Sequence, residues 1–169
     1  MIDIEKTTIA EIELFRNDMC FSAAHFTIFS GTNRERLHGH SYYVRSVVKA
    51  EYIQPGITYD YDITRKKILA LCCELHEYTL LPEYSPYLQI KDDAEYYSVF
   101  FANEKMLFLK KDTKLLPILN VTTEELAKWF AMKMVENRQE IADYRIRELK
   151  ISVSASRGQY SSFLWSRDD

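Results

Sequence analysis

Residues 40–53, His-Ser-Tyr-Tyr-Val-Arg-Ser-Val-Val-Lys-Ala-Glu-Tyr-Ile, are rich in aromatic and β-branched side chains and predict one long strand. A stretch of the same character, residues 9–29, precedes it and predicts a long first strand, so the two form a large antiparallel hairpin. After Pro55-Gly56, the spacing of Ile63, Lys67, Ile68, Leu71, Cys72 and Leu75 predicts an amphipathic helix over 62–76. Residues 95–110 predict two short strands around an Asn103-Glu104 turn. Thr122-Thr123-Glu124-Glu125 has the form of a capping box and opens a second amphipathic helix running to about residue 142. Residues 146–155 and 160–165 alternate like strands around Gly158. The order is strand, strand, helix, hairpin, helix, strand, strand, and the class is α+β.

With 169 residues, of which 47% are hydrophobic and 28% charged, the chain has material for one ordinary core. No repeat, low-complexity tract or Pro/Gly-rich linker interrupts it, so residues 1–169 are expected to form a single domain. Lysine and arginine total 22 against 25 acidic residues, and a net charge of −3 gives no reason to expect nucleic acid as a partner. No segment has the roughly 18 to 20 apolar residues of a membrane span. The opening residues are acidic where a secretory leader would be basic, so the expected location is cytoplasmic. The cysteines, Cys20 and the adjacent pair Cys72 and Cys73, lack metal-type spacing and read as reduced, structurally buried thiols.

Chemistry concentrates at Leu37-His38-Gly39-His40. Two imidazoles at i and i+2 of an extended segment project from one face and can grip one ion together. A catalytic zinc needs three protein ligands and an open position, and His25, near the end of the preceding strand, is the natural third. On these residues alone a His-x-His pair is more often a pair of ordinary strand or surface histidines than a metal site.

The wider pattern decides between those readings. Phe-Ser-Ala-Ala-His25, followed by Leu-His38-Gly-His40-Ser-Tyr-Tyr-Val, resembles the 6-pyruvoyltetrahydropterin and 6-carboxytetrahydropterin synthase family. The likeness continues in Gly56-Ile-Thr-Tyr-Asp60-Tyr and in Thr122-Thr123-Glu124-Glu125-Leu126-Ala127, leaving only an insertion at about 83–118 outside the compact pattern. The resemblance implies a tunnelling fold: a four-stranded antiparallel sheet with two helices on one face, here with an inserted hairpin, closing into a β-barrel as a homo-oligomer, trimer or hexamer. It further implies active sites between subunits, zinc on His25, His38 and His40, a small-molecule substrate, and no nucleic-acid or membrane partner.

The departures from that pattern bear on the reaction. The family's cysteine position is Arg34 here, and the adjacent Glu35 is similar to a family branch in which glutamate replaces the cysteine and the dihydropterin side chain is cleaved. A carboxylate beside zinc can act as general base; the alternative is a solvated loop glutamate. The family's Asp-His relay falls on His76 and Glu77 in reversed order, and a slip of one residue would place His76 at the family histidine and Leu75 at the aspartate. Those residues read otherwise as a polar helix end. The family's pterin-anchoring glutamate is Ala155, which leaves the donors of an aminopyrimidine edge without their usual acceptor. Thr122, Thr123 and Glu124 match positions beside the ring, or simply cap the helix.

The expected activity is a zinc-dependent lyase or synthase that moves protons and cleaves a C–C or C–O bond in a hydroxylated or carbonyl side chain. Its catalytic residues would be Glu35, His76 and Glu77, and its substrate a pterin or, given Ala155, a remodelled non-pterin. A non-catalytic, metal-containing paralogue with a binding or assembly role is the alternative.

Overall fold

The computed structural model describes residues 8–156 and 158–168. The acidic residues 1–5, read above against a secretory leader, lie outside that range. The chain runs β1 (Ile9–Leu14), β2 (Cys20–His25), β3 (Ile28–Ser30), β4 (Asn33–Arg34), β5 (His38–Glu51), α1 (Asp62–Leu75) and β6 (Tyr78–Pro82). It continues through β7 (Gln89–Asp93), β8 (Tyr96–Phe101), β9 (Glu104–Leu109), β10 (Thr113–Leu116), α2 (Thr123–Met134), α3 (Arg138–Asp143), β11 (Ile146–Ser156) and β12 (Gln159–Ser166).

The single strand expected over 9–29 is three strands. Between β1 and β2 the chain turns, the Met19 N–H donating to the Arg16 carbonyl at 3.1 Å, and Asp18 is drawn off the pleat by Arg65 of α1 at 3.1 Å. β1 and β2 then occupy successive stretches of one lane beside β5, with β2 opposite residues 38–43 and β1 opposite 46–51. No further strand was expected beside β2, yet β6 runs parallel to it and β10 parallel to β6. The sheet is therefore seven-stranded and mixed, in the order β10-β6-β2-β5-β11-β12 with β1 also on β5, rather than four-stranded and antiparallel. Tyr78–Pro82 and Thr113–Leu116 are too short to show a period, so only their neighbours reveal them as strands.

Three helices replace the expected two. The second stops at Met134, and Asn137 accepts the Glu140 N–H at 3.2 Å to start α3 separately. The inserted hairpin is a three-stranded antiparallel sheet, β7-β8-β9. Its β8–β9 turn falls one residue early, at Ala102, whose φ is 47°. β7 escapes sequence reading because Gln-Ile-Lys-Asp-Asp is almost wholly exposed.

Alternation on β5 buries Tyr42, Val44, Ser46, Val48 and Ala50 on one face, where Ile68, Cys72 and Leu75 of α1 and Leu126, Phe130 and Met134 of α2 cover them. A second core, built on Phe26, Ile28, Leu81, Val99 and Phe101, fixes the inserted sheet beside β3. Among the described residues, β1 pairs only with β5 and β12 only with β11, so the main sheet stays open at both and no barrel closes within one chain. No helix among them is long and apolar enough to cross a membrane.

Candidate metal centre and active site

His25 ends β2 and is paired with His38, which starts β5, while Ala23 is paired with His40. Opposed and alternate residues share a face, so all three imidazoles stand on the helix-covered side, next along from Phe21 and Tyr42. Their candidate ligand nitrogens lie within 4.8 Å of one another, with Nε2 of His38 and Nε2 of His40 2.9 Å apart. A Cβ on Gly39 would sit 3.4 Å from the Ala23 carbonyl oxygen, so the glycine lets the strands close up between the two histidines.

The hydrogen bonds behind the rings set their tautomers. His25 Nδ1 donates to the Val121 carbonyl and His38 Nδ1 to the Arg36 carbonyl, each at 2.8 Å. A carbonyl only accepts, so both rings carry their proton on Nδ1 and turn an Nε2 lone pair inward. Burial, reinforced by neighbouring imidazoles and only partly offset by the Val121 bond, pushes the pKa of His25 below the ordinary histidine value; burial and then His38 lower that of His40. His25, 6% exposed, has no partner for Nε2. A buried acceptor left unpaired costs about 1–3 kcal/mol, and a divalent cation is the partner that this donor set of neutral nitrogens fits.

Glu35 follows β4 and folds back on the metal strand. Its N–H donates to the Thr27 carbonyl at 2.8 Å, and its Oε2 accepts the Thr27 N–H at 2.9 Å. Burial alone would raise its pKa; the two Thr27 contacts and the potential of His38 and His25 outweigh that and hold the carboxyl below the usual range, ionised at neutral pH.

The start of α2 meets the same place, because the Val121 carbonyl that holds His25 directly precedes Thr122, Thr123 and Glu124. Thr122 caps the helix by accepting the Glu125 N–H at 3.3 Å. Thr123 Oγ1 reaches Ser161 Oγ at 2.8 Å and donates to Glu124 Oε2 at 3.3 Å. Backbone hydrogen bonding at the helix start leads the contributions, outweighing desolvation with help from these hydroxyls, that keep Glu124 below the ordinary carboxyl pKa. Ala155 lies two residues beyond Val153, the β11 partner of Ser161, where the β11–β12 register shifts.

His76 and Glu77 are placed apart from these groups. They leave α1 and continue the β6 lane: the Glu77 N–H donates to the Ser22 carbonyl at 2.7 Å, and His76 Nδ1 accepts the Ser22 N–H at 3.1 Å. His76 Nε2 is 3.8 Å from Glu77 Oε1, and both side chains are exposed. Glu77 takes a φ of 64°, a left-handed conformation more usual for glycine. It lines an open groove of about 650 Å³ with Ser22, His40 and Thr79. One chain thus unites His25, His38, His40 and Glu35, abuts them on the α2 start, and leaves His76 on an exposed flank.

Sequence reasoning missed the two carbonyls that orient the rings, because a main-chain acceptor leaves no side-chain signature. It missed Ser161, a serine in a run of ordinary strand residues. In the sequence, Arg34 stands out only as a departure from the family pattern and Glu104 only as a turn residue.

Residues 15–163 match the family described as 6-pyruvoyl tetrahydropterin synthase. A protein of Methanocaldococcus jannaschii, provisionally named 6-carboxy-5,6,7,8-tetrahydropterin synthase, is 28% identical over 142 residues, covering 82% of this chain and 85% of its own. The 6-pyruvoyltetrahydropterin synthase of Plasmodium vivax superposes with a TM-score of 0.88 at 26% identity, covering 94% of this chain and 99% of its own; the solved form has a catalytic glutamate replaced by alanine. Its Plasmodium falciparum counterpart matches equally, at 27% identity and a TM-score of 0.88 over 94% of this chain and 99% of its own.

Proposed function

The chain belongs to the 6-pyruvoyl tetrahydropterin synthase family, and from that premise we propose that it is a metal-dependent pterin synthase-type lyase that shortens the side chain of a dihydropterin. The observation that carries this reading is the convergence of His25, His38 and His40 on one point, with the ionised Glu35 pinned two residues from His25 at Thr27. A solved relative whose catalytic residue is a glutamate supports giving Glu35 that role. These features weigh against a non-catalytic paralogue.

Zinc on the three histidines would polarise the oxygens of a hydroxylated side chain and stabilise negative charge developing on them. Glu35 takes the proton of a side-chain hydroxyl. The carbon–carbon bond beside the resulting oxygen breaks as the carbonyl forms, and its electron pair passes to the carbon that stays on the ring. A proton must return to that carbon. His76 suits this step, because with Nδ1 accepting from Ser22 the neutral ring carries its proton on Nε2, beside Glu77. Its exposed position suits delivery to the site of a second copy, as the resemblance implies. Thr122, Thr123 and Glu124 would hold the ring, with Glu124 offering the carboxylate that Ala155 lacks.

The absence of a carboxylate at Ala155 favours a second reading, the same proton chemistry on a non-pterin substrate. Incubating the zinc-loaded protein with dihydroneopterin triphosphate, with products followed by mass spectrometry, separates the two. A dihydropterin with a shortened side chain, and loss of that product in Glu35→Gln, is the expected result. No turnover by metal-replete protein would reject the pterin substrate, and full turnover by Glu35→Gln would reject Glu35 as base.

A further inference from the structure

Arg34 occupies the place where the family resemblance puts a cysteine, and the reaction above leaves it idle. All three of its guanidinium nitrogens nonetheless donate a hydrogen bond. Nε and Nη2 both donate to Glu104 Oε2, at 3.0 and 2.5 Å, and Nη1 donates to the Glu35 carbonyl at 2.8 Å. The guanidinium carbon also lies 5.2 Å from the Phe26 ring centroid and 5.7 Å from that of Phe101. Glu104 is the first residue of β9, and Phe101 the last of β8, so both contacts belong to the inserted sheet. Phe26, by contrast, directly follows His25.

Every main-chain handle of Glu35 is thereby fastened. Its N–H goes to Thr27, between β2 and β3, and its carbonyl goes through Arg34 to the inserted sheet. A general base works only within hydrogen-bond reach of its proton, and a misplacement near 1 Å can cost about a hundredfold in rate. The Glu104 side chain is 55% exposed, so its substitution opens no core, whereas that of Arg34, 18% exposed, covers Phe26 and Phe101.

We propose that Arg34 and Glu104 are positioning residues through which the inserted sheet holds the Glu35 carboxylate in register with the three histidines. The proposal rests on the reading of Glu35 as general base. Its test uses the full-length, zinc-loaded chain in two measurements. In hydrogen exchange followed by mass spectrometry, Glu104→Ala is expected to speed exchange of the segment spanning residues 33–37 roughly tenfold while other segments stay unchanged. With dihydroneopterin triphosphate, Glu104→Ala and Arg34→Ala should each lower kcat about 10- to 100-fold with KM within about threefold, and the double variant should be no worse than either single. Arg34→Lys, which keeps the charge but lacks a fork to bridge two acceptors, should recover only part of the rate. A merely structural role would instead lower zinc content and the unfolding midpoint.

Unchanged exchange at 33–37 in Glu104→Ala overturns the proposal, with or without turnover. Full kcat in Glu104→Ala beside an inactive Glu35→Gln overturns the clamp and leaves the base standing. Full kcat in Glu35→Gln rejects the base assignment, and the proposed catalytic role of the clamp with it.

Discussion

At the scale of single residues, His25 is the most informative group in the molecule. Its Nδ1 is satisfied and its Nε2 is buried without a partner. His25→Ala is therefore expected to abolish stoichiometric zinc binding, measured by elemental analysis after gel filtration, because His38 and His40 alone leave an ion two ligands short of a closed shell. Glu124→Gln keeps the size of the side chain and removes the charge, so it should raise KM for a pterin substrate about tenfold with kcat little changed; an unaltered KM would remove Glu124 from the ring site. The cysteines divide by environment. Burial pushes the Cys72 thiol up to about 12, with Cys20 next among the causes, whereas Cys73 is exposed. Native protein at pH 8 should then take iodoacetamide at Cys73 and not at Cys72 until it is unfolded, which peptide mapping would read directly.

At the scale of elements, the start of α2 joins the helix cap, the carbonyl that holds His25 and the proposed ring-holding residues within four residues. Thr122→Ala removes the cap and should cost about 1 kcal/mol by urea unfolding. Loosening Val121 with it should also weaken zinc retention, whereas Leu119→Ala, at an exposed position nearby, should do neither. The Thr122 cap was legible because its chemistry is local, although Glu125 accepts the Leu119 N–H at 3.0 Å instead of closing the box on Thr122; the shared face of His38 and His40 was legible too, because a strand of period two states which side chains share a face. The place of His25 beside that pair was legible only through the antiparallel pairing of β2 with β5. Strands β6, β7 and β10 were not legible. β7 is polar and almost wholly exposed, while β6 and β10 are short and their pairing partners lie far along the chain: Thr79 of β6, for instance, meets Ala24 and Thr113. The break between β1 and β2 was hidden for a related reason, since Arg65, which holds Asp18, is 47 residues away.

At the scale of the whole molecule, β1 and β12 are, with β10, strands of the main sheet that have one pairing neighbour among the described residues, and Ile9 and Leu164 are exposed on β1 and β12. Open edges invite pairing, and β12 of one copy set against β1 of the next would be a head-to-tail contact, which makes a ring where the rotation between copies closes. Light scattering should return a mass of three or six chains. Leu164→Arg is expected to dissociate the assembly and abolish turnover while zinc content persists, since all three histidines come from one chain; retained activity in dispersed chains would exclude a site shared between copies. The two cores carry a different consequence. The inserted sheet packs on its own cluster around Val99 and Phe101, separate from the cluster beneath α1 and α2, and reaches Glu35 through a single arginine. A lineage could therefore re-aim the β8–β9 end of this lobe, and so shift where Glu35 stands, while β5 and β11, which contribute nothing to that cluster, keep their pairing.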